Sequence, residues 1–146
     1  MVKAKKTTGT KNVKTADAQA GKAEKLAFLC AKVADEHMAE NIVTLKVTES
    51  SYLADYFIIC TGNSAPHIGA ISSHVVRELR TDHQIRPNAV DGDPSSQWIV
   101  IDYGSVVIHV LSPKMRELYQ LESLWGDAPK VEALKLLEKK TPARKK

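Results

Sequence analysis

From Ala23 onward, Leu26, Leu29, Cys30, Val33, His37 and Met38 recur at steps of three and four residues. That spacing puts them on one stripe and predicts an amphipathic helix running to about Glu40. Residues 41–47 are short and β-branched, and residues 56–61 (YFIICT) form a continuous apolar run. Two strands are expected there, the second buried on both faces. Ser64 is placed to cap a helix over residues 65–80, with Pro66 in its first turn and Ile68, Ile71, Val75, Val76 and Leu79 on its apolar face. A strand, a helix of this length and further strands imply a crossover packed on a sheet. Residues 85–90 suggest another strand, at an edge because Pro87 cannot donate to a ladder, and residues 91–96 are a polar loop.

The clearest local pattern is WIVIDYGSVVIHVL at 98–111, two β-rich runs around a glycine. With Gly104 and Ser105 as a two-residue turn, Tyr103 faces Val106, Asp102 faces Val107, Ile101 faces Ile108, Val100 faces His109, Ile99 faces Val110 and Trp98 faces Leu111. Alternation then separates a core face (Ile99, Ile101, Tyr103, Val106, Ile108, Val110) from a mixed face (Trp98, Val100, Asp102, Val107, His109, Leu111). A Trp beside aliphatics, a carboxylate and an imidazole has the composition of an interface, unless a helix covers it. Ser112 and Pro113 open a further helix carrying Met115, Leu118, Leu121, Leu124 and Trp125, which Gly126 ends. Val131, Leu134 and Leu137 suggest a last short helix.

Charge changes this picture through its location. The chain carries a net +4 with a pI near 9.0. Yet residues 26–134 hold eight Lys or Arg against fourteen Asp or Glu, a net of −6, and the excess of positive charge lies in the two ends. The expected organisation is a disordered basic extension over 1–22, one folded domain over 23–134 and a basic tail over 135–146. An acidic body is steered toward a basic protein surface, while the tails suit salt-sensitive phosphate contacts with RNA. The 146 residues contain no apolar run of membrane-spanning length and no secretory h-region behind the N-terminal lysines. Cys30 and Cys60 lack C-x-x-C spacing, so they are expected to be buried thiols in a reducing cytoplasm.

Candidate chemistry is sparse. Gly62 before a helix start lacks the other glycines and the Lys of a phosphate cradle. Asp91-Gly92-Asp93 sits in a Pro- and Ser-containing loop, where metal carboxylates that position phosphates are not expected. His67 and His74 are two turns apart, and no H-x-x-x-H pair occurs on a helix. Neither Ser64 nor Ser105 lies in G-x-S-x-G. The residues describe an acidic α/β binding domain, with no catalytic residue, metal or cofactor expected.

Segments in a specific order carry a resemblance: NIVTLKV at 41–47, DYFIICTGNS at 55–64, WIVIDYG at 98–104, VVIHV at 106–110 and RELYQLESLWGDAP at 116–129. Together they resemble the ribosomal silencing factors of the Iojap family. The resemblance implies a single α/β domain with a mixed β-sheet flanked by helices, similar to a nucleotidyltransferase fold without its catalytic residues. It also implies binding to ribosomal protein fourteen of the large subunit, which blocks joining of the small subunit and represses translation. Matched to the family's ribosome-facing segment, Trp98 is an expected aromatic anchor and Asp102 a carboxylate for a basic side chain. Tyr103 and Gly104 would shape the hairpin tip, with His109, Leu111, Tyr119 and Trp125 as secondary contacts. Ser105 stands where the family often has an acid. A homodimer off the ribosome and rRNA contacts by the tails stay open, as do two other readings: an RNA-binding ribosome-assembly factor and a nucleotidyltransferase-like enzyme.

Overall fold

The computed structural model describes residues 9–47, 54–124 and 130–131. Its sheet has the strand order β3-β4-β5-β2-β1-β6, with β1 at Glu40–Lys46, β2 at Tyr56–Thr61, β3 at Ala89–Asp91, β4 at Trp98–Asp102, β5 at Val106–Leu111 and β6 at Lys130–Val131. β2 and β5 are parallel, and every other neighbouring pair is antiparallel. The parallel pair follows from the crossover through helix α2 (Ala65–His83), which leaves β2 and lies back across the sheet. The expected mixed sheet of a single α/β domain is thus present.

Local chemistry sets the element starts. The Ser64 hydroxyl accepts the backbone N–H of His67 and Pro66 sits in the first turn of α2, while Gln84, in a left-handed conformation, closes the helix. The hairpin pairs as alternation dictates, from Trp98 with Leu111 to Asp102 with Val107, and Tyr103 N–H donates to the Val106 carbonyl. Gly104 has φ +89°, a positive value that glycine adopts without a Cβ penalty and that lets the hairpin turn there. Asp93 caps a short 3-10 turn at Pro94–Ser96, its carboxylate accepting from the Ser95 hydroxyl and the Ser96 N–H. Those bonds hold its pKa below the usual carboxylate value. Of the Asp91-Gly92-Asp93 segment, expected to be loop, Asp91 ends β3 against Val100 and Asp93 serves the loop.

Helices α1 (Gly9–Glu36) and α2 cover one face of the sheet. Ala23, Ala27, Ala31 and Ala34 with Cys30 line the buried side of α1, so small side chains let it lie close to Tyr56, Ile58 and Cys60. Burial pushes both thiols up, Cys60 to about 12, which keeps them protonated. Among the described residues no helix is long and apolar enough to cross a membrane.

Several expectations need correction. α1 starts at Gly9, so its first turns run through part of the 1–22 stretch expected to be disordered, where Ala16, Ala18, Ala20 and the interspersed lysines favour propagation of the helix outward from its packed part. Ala23 is its first buried residue among the described side chains. The helix ends at Glu36 instead of Glu40, where Met38 turns the chain with φ +70°. The helix after Pro113 breaks in two, α3 (Pro113–Tyr119) and α4 (Leu121–Leu124), at a left-handed Gln120. Val131 lies in β6 against β1, where a helix was expected, because β1 otherwise leaves an unpaired edge. Trp125 and the tail over 135–146 lie outside the described residues.

Candidate partner-binding face

The opposite face of the sheet has a smaller core of its own. Leu45 and Val47 with Ala54, Phe57, Ile59 and Leu111 are buried there, and Val43, Trp98, Val107, Met115 and Leu121 pack against them only in part. The short α3 covers one end: its Ser112 cap accepts the Met115 N–H, and Arg116 donates to the Thr61 hydroxyl at 2.9 Å. The rest of the face, which includes Val100, Asp102 and His109, is half-buried.

Three aromatic rings and an imidazole cross this face. Trp98 and Tyr119 have ring centroids 5.0 Å apart, and Phe57 meets His109 edge-on at 5.5 Å. Between them the Trp98 indole N–H donates to His109 Nδ1 at 3.2 Å. That bond needs an unprotonated Nδ1, and burial lowers the His109 pKa to about 4, so the ring stays neutral at physiological pH. The imidazole therefore acts as the acceptor that fixes the tryptophan ring.

The expected site residues divide sharply. Trp98, His109 and Tyr119 come together, with Tyr119 half exposed at 50%. Asp102 and Gly104 lie at the other end of the hairpin, where the Gly104 N–H donates to Asp102 Oδ1 at 2.7 Å. One carboxylate oxygen is thus engaged in closing the turn. Tyr103 does not belong to this face: it is 8% exposed beneath the helices, as the alternation requires, and its hydroxyl has no hydrogen-bond partner among the described residues. Burial pushes its phenol pKa up. Leu111, expected on the mixed face, is fully buried in the smaller core.

Sequence reasoning missed Leu118, which was assigned to an apolar helix face and stands 64% exposed beside Tyr119. The left-handed Gln120 turns Leu121 toward the core and leaves Leu118 outside. Val100 and Val107 were on the mixed face by alternation, and their half-burial identifies them as part of the surface. Among the described residues no histidine of this face approaches the carboxylates needed for a metal site. The helix start after Gly62 is likewise occupied, since Ser64 caps it and the Asn63 N–H donates to His67 Nδ1.

Comparison with known proteins gives a consistent result. The family model described as "Ribosomal silencing factor during starvation" matches residues 20–146. A protein of Halalkalibacterium halodurans named ribosomal silencing factor RsfS is 38% identical over 109 residues, covering 75% of this chain and 92% of that protein. A mouse protein named for mitochondrial assembly of the ribosomal large subunit is 33% identical over 92 residues, 60% of this chain and 39% of its own length. A crystal structure from Bacillus halodurans superposes with a TM-score of 0.65 at 33% identity, covering 75% of this chain and 98% of that one.

Proposed function

The chain belongs to the family of ribosomal silencing factors, and on that premise we propose that it docks its half-open sheet face on ribosomal protein fourteen of the large subunit, sterically preventing the small subunit from joining. It acts as a binding protein in the cytoplasm and represses translation by occupancy. The observation that supports this most is the ring row of Trp98, His109 and Tyr119, a pre-positioned aromatic anchor on a body with a net charge of −6 over residues 26–134. Aromatic anchors held by neighbours lose little side-chain entropy on docking, and an acidic body steers encounter with a basic protein.

Trp98 is the anchor, Tyr119 and Leu118 extend it onto α3, and Val100 and Val107 supply apolar area. Asp102 offers a basic side chain its second oxygen, since the first is taken by Gly104, whose turn sets the tip. Off the ribosome the same face pairs with a second copy, so dimerisation and docking compete. The basic ends add salt-sensitive contacts to rRNA.

Sedimenting the purified protein with separated subunits tests this reading. Co-migration with the large subunit and fewer joined ribosomes are expected. Binding with undiminished joining would replace silencing by a role in large-subunit assembly, and no binding would remove the ribosome from the account.

A further inference from the structure

Away from the docking face, the turn after α1 meets the outer side of α2. His37 Nε2 lies 2.8 Å from Glu78 Oε2, and His74 Nδ1 lies 3.6 Å from the same oxygen. The three donor atoms all fall within 4.8 Å of one another, and their side chains are 26–31% exposed. We propose that His37, His74 and Glu78 bind a divalent late-transition-metal ion of the zinc class, with an outward position left for water.

The donor set suits such an ion: two imidazole nitrogens and a carboxylate are ordinary zinc ligands, and donors around a tetrahedral zinc lie about 3.3–3.6 Å apart. His74 and Glu78 are one helical turn apart, so a rigid helix supplies two ligands on one side. The third is held by its backbone. Because the Asn63 N–H donates to His67 Nδ1, His67 carries its proton on Nε2 and donates it to the His37 carbonyl at 3.0 Å.

Three features oppose binding and make it testable. The hydrogen bond from His37 Nε2 to Glu78 Oε2 places a proton on that nitrogen, which the ion displaces. The His37 and His74 rings are stacked, 3.7 Å between centroids and 11° from parallel, whereas a metal lies in the plane of each ring it joins. The ion therefore splays the rings apart, which their partial exposure allows. Arg77, exposed on α2, donates to His74 Nδ1 at 2.9 Å. This contact occupies the Nδ1 lone pair that the ion needs, and it places a cation beside the incoming ion. Arg77 swings into solvent when metal binds.

The ion ties the α1 turn to α2 and binds only the folded chain, so it raises the melting temperature with the logarithm of its excess over the dissociation constant. The test titrates Zn²⁺ against a chromophoric chelator with full-length, tag-free protein at neutral pH. One saturable equivalent is expected. His74→Ala and Glu78→Gln should each weaken it by about tenfold or more, whereas Arg77→Ala should tighten it. His83→Ala, at the far end of α2, should leave it unchanged. Circular dichroism and the zinc-free melting temperature verify that each variant is folded, and the gain in Arg77→Ala cannot arise from unfolding. Absence of saturable binding, or zinc affinity indifferent to His74 and Glu78, overturns the proposal.

Discussion

The two faces of the sheet are built from the same strands and differ in what covers them. Under α1 and α2, Ile58, Ile101, Val106, Ile108 and Val110 are fully buried. One residue along β5, Val107 and His109 are half-buried on a face where α3 covers only one end. The covered face therefore carries the stability, and the open face is where a polypeptide partner gains the most apolar contact for the least rearrangement. The Trp98 indole, hydrogen-bonded to His109 and in tilted ring contact with Tyr119, is what this division permits.

The largest expected effect sharpens the contrast in stability. Ile108→Ala should cost about 2–5 kcal/mol by denaturant unfolding, because it empties a closed core. Its neighbour Val107→Ala should cost about 1 kcal/mol or less, since half of that side chain already meets solvent. Equal costs would break the comparison.

For affinity the order reverses. Trp98→Ala should lose about 2 kcal/mol or more of binding to the large ribosomal subunit, measured by equilibrium sedimentation, with the fold retained. Ile108→Val, a mild change on the covered face, should leave binding unaltered.

Protonation gives a smaller effect with a definite sign. The His109 pKa falls from the ordinary 6.5 to about 4 on folding, so only the unfolded chain takes up this proton between those values. Its contribution is therefore complete above pH 6.5 and is lost as the pH falls toward 4. Urea unfolding from pH 7 to 4 should show a shallower decline for His109→Gln than for the parent chain. An identical slope would mean that the ring is not kept neutral in the fold. Smallest of all, Tyr103→Phe should raise stability by about 1 kcal/mol in the same unfolding measurement, because the deleted hydroxyl is buried with no hydrogen-bond partner among the described residues; a loss of stability would mean that the hydroxyl is bonded.

Much of this arrangement was legible in the sequence where one strong local rule governed it. Period-two alternation around Gly104 returned the hairpin register, and Ser64 with Pro66 and Ser112 with Pro113 marked two helix starts. At Tyr103 the alternation and the family resemblance disagreed, and the alternation was right: its ring lies in the core. What was illegible depends on contacts that no local period encodes. Gln120 interrupts an otherwise regular apolar stripe, β6 is a two-residue pairing with a distant strand, and His37 meets Glu78 across two helices. The H-x-x-x-E spacing on α2 was present in the sequence, but without the position of His37 it specified nothing.

The most direct test of the open face places a positive charge on each side of the comparison. Val107→Lys puts it in the middle of the half-open face, and Val90→Lys puts it on the exposed edge strand β3, away from that face. Both variants would be measured for binding to purified large subunits alongside the parent chain. The account predicts that Val107→Lys weakens binding by about tenfold or more, through lost apolar contact and repulsion from a basic partner, while Val90→Lys binds as the parent does. Unimpaired binding by folded Val107→Lys, or a loss confined to Val90→Lys, would contradict it.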